Sequence, residues 1–484
     1  MLNWRNVDYQ QYTSTIEYSS EEESLRQQAA MQQAQVLVQE LSDKLKRQPT
    51  ACVVTFGCQM NARDSEKILG VLEEAGYRMI DEEDADLVVY NTCTVRDNAN
   101  QRLYGHLGQL KPIKSQKTEM KIALCGCMVQ EPDVIDKIKK SYSYVDLLFG
   151  THNIYKFPEL LNNMLTSDHM IVDVWKKTDA IVETLPVKRK YSFKSGVNIM
   201  FGCDKYCTYC IVPYVRGKER SRLSSEILDE IRRLADDGVV EVMLLGQNVN
   251  SYGKRLPGEI SFPRLLQEVE KIEGIKRIRF MTSHPEDLSD ELIEVMKNSE
   301  KICKHLHLPV QSGSSKVLKK MNRSYTREQY MTVVEKLRKA IPDLSLTTDI
   351  IVGFPGETKE DVDETISLVE EVGYDNAYTF IFSKRSGTPA ANFETLMTED
   401  EISENFDRVL KAVQNKARES VARMTGRIEE VLVEDLNDHD PSMVTGRLSN
   451  NTLVHFPGTS DMIGKFYMVK LTENKGFYFI GERV

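Results

Sequence analysis

The sequence predicts an α/β protein in three parts: a small N-terminal α/β domain on a parallel sheet, a central partial (β/α)6 barrel, and a small C-terminal β-barrel. Three observations predict it. Short apolar runs alternate with helical stretches across 50–170 and again across 187–422, a pattern that implies parallel sheets with crossover helices. The stretch 424–484 carries five short strand-like runs separated by Gly, Asn and Pro, as a compact all-β unit would. Cysteines recur where predicted strands end.

A chain of 484 residues is long enough for about three domains, and 41% hydrophobic content is ordinary for a globular protein. A net charge of −10 argues against a globally basic nucleic-acid binder, so any nucleic acid must be met by local basic patches. No run of about eighteen apolar residues is present, so no membrane span is expected. The start Met1-Leu-Asn-Trp-Arg-Asn-Val-Asp8 has no apolar signal region, which points to the cytoplasm. There thiols stay reduced and can bind metal.

Residues 1–49 form an extension. Glu21 to Arg47 is rich in Gln, Glu, Ala and Leu without Gly or Pro, and reads as a solvated or docking helix. In 50–170, strands are expected at Val53–Phe56, Asp86–Tyr90, Lys121–Leu124 and Asp146–Phe149, with a helix from Ala62 to Ala75 closed by Gly76. Parallel sheets place their sites at the carboxyl ends of the strands. Cys58, Cys93 and Cys127 each follow one of the first three strands, at intervals of 35 and 34 residues. Three thiols therefore converge on one sheet edge, a placement that suits a metal cluster. Cys52 and Cys125 fall beside or at the end of strands without a loop of their own, and read as small buried hydrophobes.

Barrel strands are expected at Val197–Phe201, Val240–Leu245, Arg277–Thr282, His305–Pro309, Leu346–Val352 and Ala377–Phe382. Helices fall between them at Leu223–Ala235, Phe262–Lys271, Asp290–Lys297, Lys316–Lys320, Arg327–Ala340 and Lys359–Glu371. In such barrels the loops after the strands carry the site. The first of these loops holds Cys203, Cys207 and Cys210 in a Cys-x3-Cys-x2-Cys spacing. Three cysteines can hold three corners of a four-iron cluster and leave one iron open to a small molecule. A structural zinc site wants four closed ligands, and Cys303 is the only other cysteine in the following hundred residues. Nine cysteines, an odd number, do not make a disulfide framework.

Polar residues collect at the same barrel face: Gln247 and Asn248 after the second strand, Ser283 after the third, Gln311 and Arg323 after the fourth, and Asp349 on the fifth. Each alone could cap a helix; together they could bind a nucleoside cofactor. His305 and His307 alternate along one strand and read as barrel-interior residues. A basic run, Arg216, Lys218, Arg220 and Arg222, follows the cysteine loop and offers phosphate contacts, with Lys188-Arg189-Lys190 as a second patch. The C-terminal strands (Glu429–Val433, Val444–Leu448, Thr452–Phe456, Lys465–Leu471 and Phe477–Ile480) suit an RNA-binding barrel, although the segment is not markedly basic.

The Cys203/Cys207/Cys210 spacing resembles the signature of radical S-adenosylmethionine (SAM) enzymes. With the upstream trio and the C-terminal β domain, residues 50–484 resemble the methylthiotransferases, which join a cluster domain, a radical SAM barrel and a TRAM domain. Gly57-Cys-Gln-Met-Asn61, Thr282-Ser-His-Pro285 and His305-Leu-His-Leu-Pro-Val-Gln-Ser-Gly313 look most like the branch that modifies N6-isopentenyladenosine beside the anticodon. Cys125 is an added thiol that the family does not need.

The resemblance implies two [4Fe-4S] clusters, one on Cys203, Cys207 and Cys210 and an auxiliary one on Cys58, Cys93 and Cys127. At the first, reductive cleavage of S-adenosylmethionine would give a 5′-deoxyadenosyl radical that removes hydrogen from C2 of the adenine. The second would carry or donate sulfur, and a second S-adenosylmethionine would methylate it. The implied partners are tRNA, through an anticodon stem-loop bearing isopentenyladenosine at position 37, and a reducing electron donor such as flavodoxin or ferredoxin. A monomer with no membrane association is expected. Sister enzymes acting on threonylcarbamoyladenosine or on a ribosomal-protein aspartate share all six cysteines. A zinc-dependent RNA-binding protein is the alternative from another class.

Overall fold

The computed structural model describes residues 19–94 and 97–484. These fall into two compact units. The first comprises the chain up to Lys190 together with Phe201–Lys205 and Ile211–Arg220; the second holds Tyr191–Met200, Tyr206–Cys210 and everything from Ser221 onward.

The first unit is built on six parallel strands, β1 (Thr50–Thr55), β2 (Arg78–Met79), β3 (Leu87–Thr92), β4 (Lys121–Gly126), β5 (Leu147–Phe149) and β6 (Ile171–Asp173), in the order β2-β1-β3-β4-β5-β6. All six residues of β3 are buried, as expected for a central strand covered on both faces. On one face α1 (Ser20–Leu45), α2 (Gln59–Ala75) and α5 (Phe157–Thr166) pack through Met31, Ile68, Leu72 and Leu161. On the other, α3 (Asp97–Gln116) and α4 (Pro132–Ser141) contribute Leu103, Leu107, Ile135 and Ile138. Four strands were expected here. The two extra ones have two and three residues, too short to show a period, and β6 lies beyond the expected edge at residue 170. Helix α1 docks. Its buried Gln27, Met31, Ala34 and Val38 recur every three or four residues, and Asn162 on α5 donates to the Ala30 carbonyl.

The second unit begins with β7 (Lys194–Asn198). The two-residue strands β8 (Met200–Phe201) and β9 (Arg220–Ser221) and the short α6 (Val212–Val215) belong to the loop that follows. The remaining barrel strands are β10 (Glu241–Leu245), β11 (Arg277–Phe280), β12 (His305–His307), β13 (Ser345–Val352) and β14 (Asn376–Ile381). Two parallel three-stranded sheets, β11-β10-β7 and β12-β13-β14, meet at a single parallel bridge between Ile278 and Ile302. The result is six strands, an incomplete barrel, as predicted. Helices α7 (Ser224–Asp236), α8 (Phe262–Glu270), α9 (Asp290–Asn298), α10 (Ser315–Lys320), α11 (Arg327–Ala340) and α12 (Lys359–Val372) fall between the strands. A further helix, α13 (Glu399–Ala422), buries Val409 and Val413 in the same core.

The chain ends in a closed barrel ordered β15-β16-β17-β19-β18, from β15 (Ile428–Leu436), β16 (Met443–Leu448), β17 (Leu453–Pro457), β18 (Phe466–Asn474) and β19 (Tyr478–Arg483). It covers the N-terminal end of the partial barrel. The Arg277 guanidinium donates to the carbonyls of Arg447 and Glu430, and Arg279 to those of Leu448 and Ser449. Lys194 pairs with Glu434 at 2.8 Å.

Candidate metal centres

The strand-end cysteines of the first unit sit where the sheet stops. After β1 the chain turns through Gly57 (φ 109°) and sets Cys58 at the N-cap of α2, a 17-residue helix. Cys93 follows β3. Gly126 (φ 93°) ends β4, and Cys127 opens a single 3-10 turn. A Cβ on Gly57 would lie 2.5 Å from Cys93 Cβ and 2.7 Å from its sulfur, so the two loops meet only because this residue is bare.

Asn61, one turn into α2, binds these loops together. Its amide nitrogen donates 2.8 Å hydrogen bonds to the carbonyls of Phe56 and Thr92. Its side-chain oxygen lies 4.0 Å from the sulfurs of both Cys58 and Cys127, and accepts a 2.7 Å bond from Arg216 Nη2. Arg216 also pairs with Asp64 at 3.0 Å, both side chains being about 5% exposed or less. Burial opposes the Arg216 charge, but Cys127, Asp64 and Cys58 outweigh it and hold the guanidinium firmly protonated. Burial pushes the Cys127 thiol up to about 12, Arg216 pulls it back, and Cys58 and Cys93 are near enough to raise it further. The loops that carry the three cysteines thus meet around Asn61, beside one buried cation.

Cys125, paired with Asn91 across the β3–β4 ladder, instead joins the apolar core formed by α1, α2 and α5, where burial raises its thiol well above the usual range. Cys52 lies in the core on the other face, its thiol pushed up to about 12 by burial. Three cysteines on converging loops fit an iron–sulfur group with one position left open, and do not complete a four-ligand structural zinc site.

The second cysteine set is divided between the units, and each part is held by its own neighbours. In the first unit Cys203 N donates to the Gly217 carbonyl at 3.1 Å, and a Cβ on Gly202 would meet the Lys218 carbonyl at 2.0 Å. In the second, Cys210 N donates to the Cys207 carbonyl, Thr208 N to Met321, and Asn322 Nδ2 to the Tyr206 carbonyl at 3.0 Å. Burial disfavours the Arg323 charge, yet Tyr209, Tyr325, Cys207 and Cys210 surround the guanidinium and keep it protonated.

The predicted cofactor residues lie along the C-terminal ends of the barrel strands, in separate small networks. Asn248 donates to Asp287 at 2.7 Å and accepts from the His284 amide. Gln311 takes φ 75° and its amide donates to the Asp349 carbonyl. Asp349 Oδ2 is 3.3 Å from His307 Nε2, and His305 and His307 both contact Thr347 Oγ1 at 3.0 Å inside the barrel. Arg323 donates to the Pro309 carbonyl, and Gln247 is half-buried. Ser283 Oγ, with both side-chain polar atoms of Asn198 and of Asn250, is buried without a hydrogen-bond partner. These orphaned groups end β7, or follow β10 and β11, and a polar cofactor fits them. Asn198 was not anticipated; it sits within an apolar strand run, and only its complete burial with both polar atoms unpartnered marks it.

The basic run requires correction. Arg216 and Arg222 are 5% and 4% exposed, and Arg222 pairs with Glu230 at 2.7 Å. Neither side chain is presented to a phosphate, because each is itself buried and paired with a carboxylate, Asp64 for Arg216 and Glu230 for Arg222. Arg220 is half-buried over the Phe201 ring, with a bond to the Ala180 carbonyl. Only Lys218 of the four is exposed.

An incomplete (β/α)6 barrel with a three-cysteine loop after its first strand defines a radical SAM enzyme, and residues 197–369 match the radical SAM superfamily. Residues 50–150 match the uncharacterized protein family UPF0004, and 422–484 the TRAM domain. The chain is 59% identical over 445 residues to a tRNA-2-methylthio-N(6)-dimethylallyladenosine synthase of Lachnoclostridium phytofermentans, covering 92% of this chain and 98% of the relative. It is 50% identical to the enzyme of that name in Acetivibrio thermocellus, covering 96% and 98%. The chain belongs to the tRNA-2-methylthio-N(6)-dimethylallyladenosine synthase family. Among solved structures, a radical S-adenosylmethionine methyltransferase from Kitasatospora setae shares the fold, with TM-score 0.53 and 14% identity, over 71% of this chain and 75% of that one.

Proposed function

We propose that this chain transfers a methylthio group to C2 of N6-isopentenyl (dimethylallyl) adenosine at position 37 of tRNA, using two [4Fe-4S] clusters and two molecules of S-adenosylmethionine. The observation that carries this reading is the convergence of Cys58, Cys93 and Cys127 around Asn61, in a chain that already has a second three-cysteine loop. One trio would suffice for radical generation; two distinct trios suit radical generation and sulfur delivery.

In this reading Cys203, Cys207 and Cys210 would hold a cluster, which would supply the electron for reductive cleavage of S-adenosylmethionine. The chain's own groups bind and orient. Asn198, Asn250 and Ser283 offer unpartnered donors and acceptors to the bound cofactor, and Arg323 sets a fixed positive charge beside Cys207 and Cys210. Gln247, Asn248, Gln311 and Asp349 complete the rim. Cys58, Cys93 and Cys127 hold the auxiliary cluster at the carboxyl edge of the sheet. The target base has to leave its stack to reach the barrel, and Lys218 is the exposed cation of the cluster loop available to phosphate. A low-potential donor such as flavodoxin or ferredoxin supplies electrons to a monomeric cytoplasmic enzyme; no helix among the described residues is long and apolar enough to cross a membrane.

Mass spectrometry of tRNA nucleosides from a deletion strain tests the reaction and substrate together. Loss of 2-methylthio-isopentenyladenosine, with isopentenyladenosine accumulating, is expected. Loss of the methylthiolated threonylcarbamoyl nucleoside instead would assign the chain to a sister activity. Anaerobic purification giving a colourless protein with zinc and no iron would overturn the cluster reading.

A further inference from the structure

The segment after Cys210 runs into the first unit rather than along its surface. Helix α6 turns the chain, Arg216 N closes it onto the Val212 carbonyl at 2.8 Å, and Ile211 and Val215 pack with Cys127. Thr151 Oγ1 donates to the Val215 carbonyl. Gly217 (φ 76°) makes the exit, where a Cβ would already stand 3.1 Å from the His152 ring. The backbone on both sides of Arg216 is therefore fixed, and its side chain enters a site with two acceptors at hand, Asn61 and Asp64. A planar guanidinium can serve several acceptors at once, which the point charge of a lysine cannot.

We propose that Arg216 is a positioning residue for the auxiliary centre: paired with Asp64 and bonded to Asn61, it sets the charge balance at Cys58, Cys93 and Cys127 and thereby the reduction potential there. The proposal rests on the reading of these cysteines as cluster ligands. Reduction potentials of iron–sulfur groups follow net charge and the hydrogen bonds to their sulfurs. A buried cation beside the sulfurs favours the reduced, more negative state, and a buried carboxylate opposes it. Arg216 and Asp64 act in these opposite senses, and Arg216 reaches the sulfurs through Asn61, whose side-chain oxygen it holds at 2.7 Å and which lies 4.0 Å from the sulfurs of Cys58 and Cys127. His152, behind Arg216, adds no charge: burial, with Arg220 and Arg216 close by, lowers it to about 3 and keeps it neutral.

The test is an EPR-monitored redox titration of full-length protein reconstituted with iron and sulfide under anaerobic conditions, with Cys203, Cys207 and Cys210 changed to alanine so that only the auxiliary centre reports. Arg216→Gln is expected to shift its potential to more negative values, Arg216→Lys to stay near the parent, and Asp64→Asn to shift it to more positive values. If Arg216→Gln sheds iron because Asp64 is left unpaired, Asp64→Asn and the double variant Arg216→Gln/Asp64→Asn carry the measurement. An Arg216→Gln potential equal to the parent's, or a double-variant potential no more negative than that of Asp64→Asn, overturns the role of Arg216. A parent protein that binds no iron overturns the cluster assignment instead.

Discussion

The side-chain oxygen of Asn61 lies 4.0 Å from the sulfur of Cys127, 66 residues further along the chain, and the same side chain hydrogen-bonds the backbone of the loops before Cys58 and Cys93. One amide thus fixes three loops. Replacing it with leucine leaves two buried carbonyls without a donor and takes an acceptor from Arg216. Asn61→Leu is expected to lower stability by about 2–4 kcal/mol and to lose auxiliary iron, read by denaturant unfolding of the apoprotein and by iron per chain after reconstitution.

The trios are expected to separate by function. Cys58→Ala should still produce 5′-deoxyadenosine from S-adenosylmethionine while forming no methylthiolated nucleoside, both followed by chromatography with mass detection. Methylthiolated product from this variant would remove Cys58 from its role. Cys125→Ala should keep full iron and activity and lose only about 1 kcal/mol of packing, since this thiol faces the apolar core.

Gly57→Ala tests the closeness of the two loops. The position has φ 109°, and the added methyl would lie 2.5 Å from Cys93 Cβ. Strain of about 1–3 kcal/mol is expected from the backbone alone, and the displaced Cys93 should lower iron retention beyond that of a Gly238→Ala control. Gly238 has φ 89° but open space around it.

Glu357 gives a pH signature. Burial, opposed by a 2.6 Å bond from the Gly353 amide and reinforced by Asp361, raises its carboxyl to about 8 from an ordinary 4.5. Between those values the folded chain keeps a proton that the unfolded chain has released, so stability falls as pH rises from about 4.5 to about 8 and levels off above. Glu357→Gln should remove that slope, on the order of a few kcal/mol across the window. Melting temperatures of the apoprotein at a series of pH values check it; parallel curves for the two proteins would refute it.

Arg277 joins the two barrels of the second unit through bonds to the Arg447 and Glu430 carbonyls and a 3.1 Å contact with Glu430 Oε1. Arg277→Ala leaves these carbonyls without their donor and should cost about 1–3 kcal/mol. Limited proteolysis is expected to release the C-terminal barrel faster than from the parent.

The strands were legible because their apolar runs are long and their cysteines fall at their ends. Cys93 after Leu87–Thr92 and Cys127 after Lys121–Gly126 needed only that placement. The docking of α1 was harder to read, since only Met31, Ala34 and Val38 are apolar among the residues it buries. Arg216 was misread for a physical reason. Alternating basic residues on a loop look like a solvated face, and nothing local shows that one of them meets a carboxylate 152 residues earlier. The same holds for Arg222, whose partner Glu230 lies on the next helix. Ser283 was legible from its place after the third barrel strand, whereas Asn198 was hidden because an unmet hydrogen bond has no sequence pattern.

Residues 201–205 and 211–220 belong to the first unit although 191–200 and 206–210 belong to the second. On the ribosome, then, the α/β unit cannot finish when its last sheet strand emerges at Asp173. Asp64 and Asn61 wait for Arg216, and so for the first loop of the barrel to be translated. A nascent chain halted at residue 190 would expose an unneutralised carboxylate where its thiols gather, and should remain open to proteases until about thirty more residues, and the exit tunnel's length beyond them, have been added.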